Sequence, residues 1–482
     1  MSETGKPSLG TRLAYGIGGG AGGIKNNGFE YVLLLFYSQI MGLSAVLVAA
    51  ALWIALLIDA FSDPVVGYWS DNLRTRWGRR HPLMYAAMIP VSIAYFFVWN
   101  PPTELSGFSL FGWLLAFTVV VRLMYTFFEV PSTALAAELT QDYDARTSLM
   151  SFRYFFAWVG GLSVQIILFF FLLVPSEGDP SGFFHIPGWN TYGLIGACCI
   201  LGSIAITSLG THRHIPHLKA PPAARKLTPF KILSEIWETI SNPSFRALFI
   251  ATLFGLLASG ISATLNQYIN GFFWKFTNVQ ITGLTVAVYI SAVLALVIAP
   301  IVGRIFGKKR AAIIIGFLAF TIAPMPVILR QFGLLPPNGT EALYIIVLSV
   351  TVVDLALIIA YQMLAASMVA DIVEQNELST GRRSEGIYFA GISFMRKLAQ
   401  GVGVLTASGI LAVAAITPGM RPDAASDEAI RTLGWGYAIS LLVLWTIMMV
   451  CISFYRISRE DHEANLEALR TGGTAPPRFE KS

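Results

Sequence analysis

The sequence predicts an all-α polytopic membrane protein whose helices form two six-helix bundles. Three observations predict it. Hydrophobic residues make up 55% of the 482 and charged residues only 13%, too few charges to cover a water-exposed surface, for which about a quarter is usual. About twelve apolar runs are each long enough to cross a bilayer as a helix, which takes roughly 20 residues. Lysines and arginines gather in loops that share one side of the membrane if every run crosses once. A soluble multidomain enzyme, a disordered chain and a secreted disulfide scaffold are excluded by this composition.

The first six runs lie near 15–41, 45–70, 83–100, 109–138, 150–175 and 191–211. Polar Met1 to Arg12 lead directly into the first of them, with no small-residue cleavage site, so no signal peptide is expected. That run opens on Gly16-Ile-Gly18-Gly19-Gly20-Ala-Gly22-Gly23, which looks like a phosphate loop. No strand precedes it, and close helix–helix approach is the expected role. The second six runs lie near 245–273, 280–303, 311–329, 342–370, 386–416 and 433–456. The expected organisation is an N-terminal bundle at 1–212, a cytoplasmic linker with an amphipathic helix at 213–240, a C-terminal bundle at 241–456 and a cytoplasmic tail at 457–482.

The formal net charge of +5 reads as a topology signal, because the cations sit in short loops without interleaved aromatics. Nucleic acid is excluded as a partner. Arg74, Arg76, Arg79 and Arg80 follow the second run, Arg213, Lys219, Arg225 and Lys226 lie in the linker, and Arg304, Lys308, Lys309 and Arg310 follow the eighth. Arg382 and Arg383 follow the tenth. The positive-inside rule then places both termini in the cytoplasm of a cell membrane, expected to be a bacterial inner membrane. Six spans, a linker and six more is the layout of the major facilitator architecture. A repeat supports it: Gly67-x3-Asp71-x6-Gly78-Arg79-Arg80 stands where the other half has Gly303-Arg304-x2-Gly307-Lys308-Lys309-Arg310. Cys198, Cys199 and Cys451 lack metal or disulfide spacing and are expected as small core residues, and His212, His214 and His217 as a solvated linker. No nucleophile-and-base arrangement emerges, so no enzyme and no cofactor are expected.

Charged side chains inside spans usually face a cavity or a partner. Asp59 and Asp63 stand at i and i+4, on one helix face. Two carboxylates so close repel unless a cation or proton lies between them, and hard oxygen ligands suit Na+ or H+. The alternative is pairing with a Lys or Arg of a neighbouring helix. Arg122, Thr126 and Glu129 share one face of the fourth span, Arg153 lies in the fifth, and Arg396 and Lys397 in the eleventh. Glu129 and Arg153 can bind a hydroxyl-rich solute or pair with each other. Lys397 can act as a coupling gate or as a neutralising partner. Lys25, Asn26 and Glu30 in the first span and Asp354 in the tenth are further candidates, Lys25 and Asn26 on the solute side.

Ile58-Asp59-Ala60-Phe61-Ser62-Asp63-Pro64-x2-Gly67, followed by Thr75-Arg76-Trp77-Gly78-Arg79, resembles the glycoside–pentoside–hexuronide:cation symporter family, the melibiose permease-like carriers of the major facilitator superfamily. A second signature agrees: Val369-Ala370-Asp371, Glu377, then Thr380-Gly381-Arg382-Arg383-x-Glu385-Gly386-Ile387. The resemblance implies a cation site at Asp59, Asp63, Ser62 and Thr126, solute contacts at Glu129 and Arg153, and coupling at Lys397. It also implies a cytoplasmic gate of Asp71, Arg76, Arg79 and Arg80 with Asp371, Glu377, Arg382 and Glu385. Two positions depart from the family's sugar carriers: Gly23 stands for a first-span Asp that helps hold sugar, and Thr133 for a fourth-span Trp. The expected function is secondary active symport of a sugar or glycoside with a monovalent cation, by a monomer in the bilayer. A lysolipid carrier and a non-transporting receptor are the alternatives.

Overall fold

In a computed structural model every regular element is helical among the described residues, which are 7–140, 142–175, 179, 182–217, 243–380 and 385–454. The first half comprises α1 (Leu9–Asn27), α2 (Ala45–Asn72), α3 (His81–Trp99), α4 (Gly107–Leu139), α5 (Tyr143–Ile166) and α6 (Ile186–His212). The second comprises α7 (Pro243–Tyr268), α8 (Asn278–Phe306), α9 (Lys308–Ile322), α10 (Met325–Gln331), α11 (Glu341–Thr380), α12 (Glu385–Val413) and α13 (Asp427–Ser453). Ten helices among the described residues are long and apolar enough to cross a membrane. The other two expected spans are helical as well: α1 runs on through π-helical turns to Ile40, and α12 covers the eleventh. The linker beyond residue 217 and the tail beyond residue 454 lie outside the described residues.

The ninth span is broken. Pro324 and Pro326 cannot supply the backbone N–H groups that would carry α9 onward, so the helix stops at Ile322 and restarts as α10. Cys198 and Cys199 are exposed on α6 rather than in the core, and Cys451 is half-buried. An apolar span has an outer side of its own, so apolar neighbours do not place a residue inside.

Two compact units are resolved. The first holds α1 to α6 together with residues 263–285 and 401–433. Its interior depends on glycine. A Cβ at Gly16 would strike Phe152, one at Gly19 the Arg153 carbonyl and one at Gly23 the Ala157 carbonyl, so α1 lies backbone to backbone on α5. Opposite the chain's N-terminus, Tyr268 Oη lies 3.1 Å from Ser38 Oγ and Gly419 N–H donates to the Ser38 carbonyl at 3.1 Å. The second unit packs α7, α8, α9, α11 and α13 around Ala299, Ile315, Leu364 and Met448, with Phe320 stacked on Trp445 at 4.6 Å.

The repeat is visible in the backbone. Gly78, before α3, has φ +74, and Gly307, before α9, has φ +76, a left-handed conformation that glycine adopts without a Cβ clash. The first helix of each half also ends alike. Met41 and Leu43 N–H groups close on Phe36 and Tyr37 carbonyls, as Trp274 and Phe276 close on Ile269 and Asn270. Between each pair stands a positive-φ residue, Gly42 at +73 and Lys275 at +55.

Candidate cation and solute site

Asp59 and Asp63 project from one face of α2 toward α4, where Thr126 meets both. Thr126 Oγ1 lies 2.9 Å from Asp59 Oδ1, 3.2 Å from Asp63 Oδ1 and 3.1 Å from the Arg122 carbonyl of its own helix. One hydroxyl has one proton to donate, so three acceptors compete for it. With both carboxylates ionised, at least one negative oxygen faces the hydroxyl oxygen across about 3 Å without a bridging proton. A small cation or an added proton at that point relieves the contact, and the donors around it are all hard oxygens.

Ser62 does not join this cluster: its hydroxyl donates to the Asp59 carbonyl at 3.0 Å along the same helix. Arg122 does, although the sequence reading did not choose it. Its Nη1 stands 3.6 Å from Asp59 Oδ2, both side chains are buried, and its guanidinium lies 5.4 Å from the Phe29 ring centre. The signal was its place one turn before Thr126, which puts both on the face toward α2. Asp59 is therefore held by a neighbouring-helix arginine on one oxygen and by the threonine on the other.

The solute candidates lie on α1, α4 and α5. Lys25 is buried, its ammonium 4.3 Å from the centre of the Tyr125 ring. Arg153 is buried between Tyr15 and Phe128, at 5.7 and 5.9 Å, and both terminal nitrogens lack a hydrogen-bond acceptor among the described residues. Glu129 is exposed on α4 and forms no ion pair with Arg153 there; Asn26 is exposed on α1. Gly23 leaves no room for the aspartate of the family's sugar carriers, since its Cβ would overlap the Ala157 carbonyl. Lys397 is half-buried on α12, in the second unit.

At the chain-terminal end of the first half, Arg79 and Arg80 both donate to Glu138 Oε1 of α4, at 2.8 and 2.9 Å. Arg80 also pairs with Asp71 and donates to Ser70 Oγ at 2.8 Å. Glu138 was not foreseen; its signal was a carboxylate at the end of the fourth span, level with the basic turn. Arg76 is exposed and lies over the neighbouring Trp77 ring at 5.2 Å instead. Arg382 lies outside the described residues, as do the side chains of Asp371, Glu377 and Glu385.

The charged residues in the middle of the first-half spans are the cations Lys25, Arg122 and Arg153 and the carboxylates Glu30, Asp59, Asp63 and Glu129. Three cations against four carboxylates leave one negative charge, which one monovalent cation or one proton cancels.

A sequence model of the family described as MFS/sugar transport protein matches residues 14–459. An uncharacterized symporter of Synechocystis sp. is 26% identical, covering 94% of this chain and 95% of its own. The isoprimeverose transporter of Lactiplantibacillus pentosus is 23% identical over 89% of this chain and 84% of its own. Among solved structures, an inward-facing bacterial homologue of the human lysosomal transporter Spinster superposes with a TM-score of 0.63 at 14% identity, covering 95% of this chain and 97% of that one. At that identity the likeness shows the fold, which is the major facilitator fold.

Proposed function

We propose, from the premise that the chain belongs to the MFS/sugar transport protein family, that it is a secondary transporter carrying a sugar or glycoside together with one monovalent cation. The observation that carries this reading is the convergence of Asp59, Asp63 and Thr126, where two carboxylates contend for one hydroxyl proton inside a span. The surplus negative charge along the first-half spans, Glu129 included, supports the same stoichiometry. One similar protein is named a symporter and another a transporter of isoprimeverose, which favours a sugar over a lysolipid.

In this reading the ion enters between Asp59 and Asp63 and removes their repulsion, which lets α2 and α4 settle in one arrangement; ion loss favours another. Arg122 keeps Asp59 oriented when the ion leaves. Arg153 and Lys25, with Glu129 and Asn26, take the hydroxyls of the solute, and Lys397 serves the coupling step. The two halves alternate access to the site, with both termini cytoplasmic. Moving one charge through 100 mV supplies about 2.3 kcal/mol, enough for roughly fiftyfold accumulation.

The test is uptake of labelled isoprimeverose, a methyl glycoside panel and a lysophospholipid into proteoliposomes, with and without imposed Na+ or H+ gradients. Accumulation of a sugar only with an ion gradient is expected. Gradient-independent equilibration, or uptake of the lysophospholipid alone, overturns the reading.

A further inference from the structure

The second half buries an acid that the cation site does not use. Asp354 lies in α11, thirteen residues after its start at Glu341. Its Oδ1 is sealed from solvent and has no hydrogen-bond partner among the described residues, while the residue as a whole is half-buried. Its surroundings come from three helices of the same unit. On α13, Tyr437 is within electrostatic range of the carboxylate, and its hydroxyl lies 3.2 Å from Ser262 Oγ of α7. On α8, Ser291 donates to the Val352 carbonyl at 2.9 Å, fixing α11 two residues before Asp354.

No cation among the described residues answers this carboxylate. The charged groups of the packed elements stand toward helix ends: Arg246 on α7, Arg304 on α8, Lys308, Lys309 and Arg310 on α9, Arg330 on α10, Glu341 at the start of α11, and Asp427, Glu428 and Arg431 on α13. The level of α9 is set by Tyr361, whose ring meets Phe320. At 1.5 Å per residue, the basic start of α9 is then about 28 Å from Asp354 along the helix axes, since the two consecutive spans run antiparallel. A bare anionic oxygen in such packing is costly, and only two routes remove the cost, a bound metal cation or a proton. A metal cation needs several oxygens, and no second carboxylate or hydroxyl reaches the buried Oδ1 of Asp354 within hydrogen-bond distance among the described residues. A single proton needs only the carboxylate itself.

We propose that Asp354 is a proton-binding site, filled by H+ in the conformation described here. Its half-exposed side is where that proton exchanges when the packing of α11 against α8 and α13 changes. The protein then carries a proton-linked step in its second half, separate from the ion at Asp59 and Asp63, and the inference stands whether or not the solute is a sugar.

The test is infrared spectroscopy of the purified full chain in nanodiscs, titrated with pH and with no solute added. Exposed aspartates ionise near about pH 3.9, so a carboxylic-acid carbonyl band that persists at pH 7 reports a buried proton. The band is expected in the wild type and in the Asp59→Asn/Asp63→Asn double variant, where no proton can sit at the first-half pair. It is expected to be lost when Asp354→Asn is added to that double variant. Asp354→Glu is expected to shift the band without removing it. Absence of a band at pH 7 in the Asp59→Asn/Asp63→Asn background, or an undiminished band there when Asp354→Asn is added, overturns the proposal. If Asp354→Asn does not fold, an unmoved band in Asp354→Glu overturns it equally.

Discussion

Helices α2 and α4 carry Asp59, Asp63, Arg122, Thr126 and Glu129 within their spans, whereas α8 and α11, in the corresponding places of the second half, carry Asp354 there and otherwise uncharged side chains, Gln280 and Gln362 among them. The backbone makes no such distinction. Gly78 and Gly307 turn the chain with the same left-handed φ, and both first helices end in the same π-helical closure. The turn geometry is demanded by crossing the bilayer and returning, so both halves keep it. The charges answer to chemistry, and the chemistry is concentrated in one half.

The largest effect expected from disturbing that asymmetry is at α2. Asp59→Asn or Asp63→Asn should abolish gradient-driven uptake while the protein still folds and inserts. If either variant concentrated solute as the wild type does, the coupling ion would have to sit outside α2. Next comes Arg122→Ala, which strands the buried Asp59 carboxylate. Breaking a buried pair costs about 3–5 kcal/mol, and thermal unfolding in detergent should show it. Adding Asp59→Asn should restore much of that loss, and strictly additive effects would dissolve the pair.

Thr126→Val removes the hydroxyl that both aspartates share. A hydrogen bond to a charged group contributes about 1.5–3 kcal/mol, so the ion concentration for half-maximal uptake should rise roughly ten- to a hundredfold, with little change in stability. An unchanged ion dependence would make Thr126 a packing residue. The smallest effects test the backbone side of the comparison. Gly78→Ala and Gly307→Ala should each cost about 1–3 kcal/mol, the penalty of a Cβ in a sparsely populated positive-φ backbone. Unequal costs would show that the two turns are alike only in angle.

The length of the apolar runs and the one-sided cations made the spans legible, because both are imposed by the bilayer rather than by any partner. The i, i+4 spacing of Asp59 and Asp63 was legible for the same reason, since it is a property of one helix. Relations between helices were not. The family resemblance put Ser62 among the ion ligands, but a serine in a helix can turn back to the carbonyl three residues earlier, as it does here. Arg122 was visible on the face of Thr126, yet only the packing of α4 on α2 brings it beside Asp59. Glu138 went unseen because it belongs to a span by sequence and to the basic turn by depth. The break in the ninth span was written in Pro324 and Pro326; its apolar length concealed it.

The glycine seam between α1 and α5 has a mechanical consequence. Side chains between two helices act as springs: they change rotamer and let the helices slide. At Gly19 and Gly23 nothing lies between the backbones, and the carbonyls of Arg153 and Ala157 occupy the space that a Cβ would need. A slide of one residue, about 1.5 Å, would carry Ile24 toward the Ala157 carbonyl that Gly23 now clears. The two helices can therefore turn together but not shear, and Arg153 travels with Lys25 as if both were on one rigid lever. Spin labels on the outer faces of α1 and α5 should hold a constant separation throughout turnover, however far either moves relative to the rest of the protein.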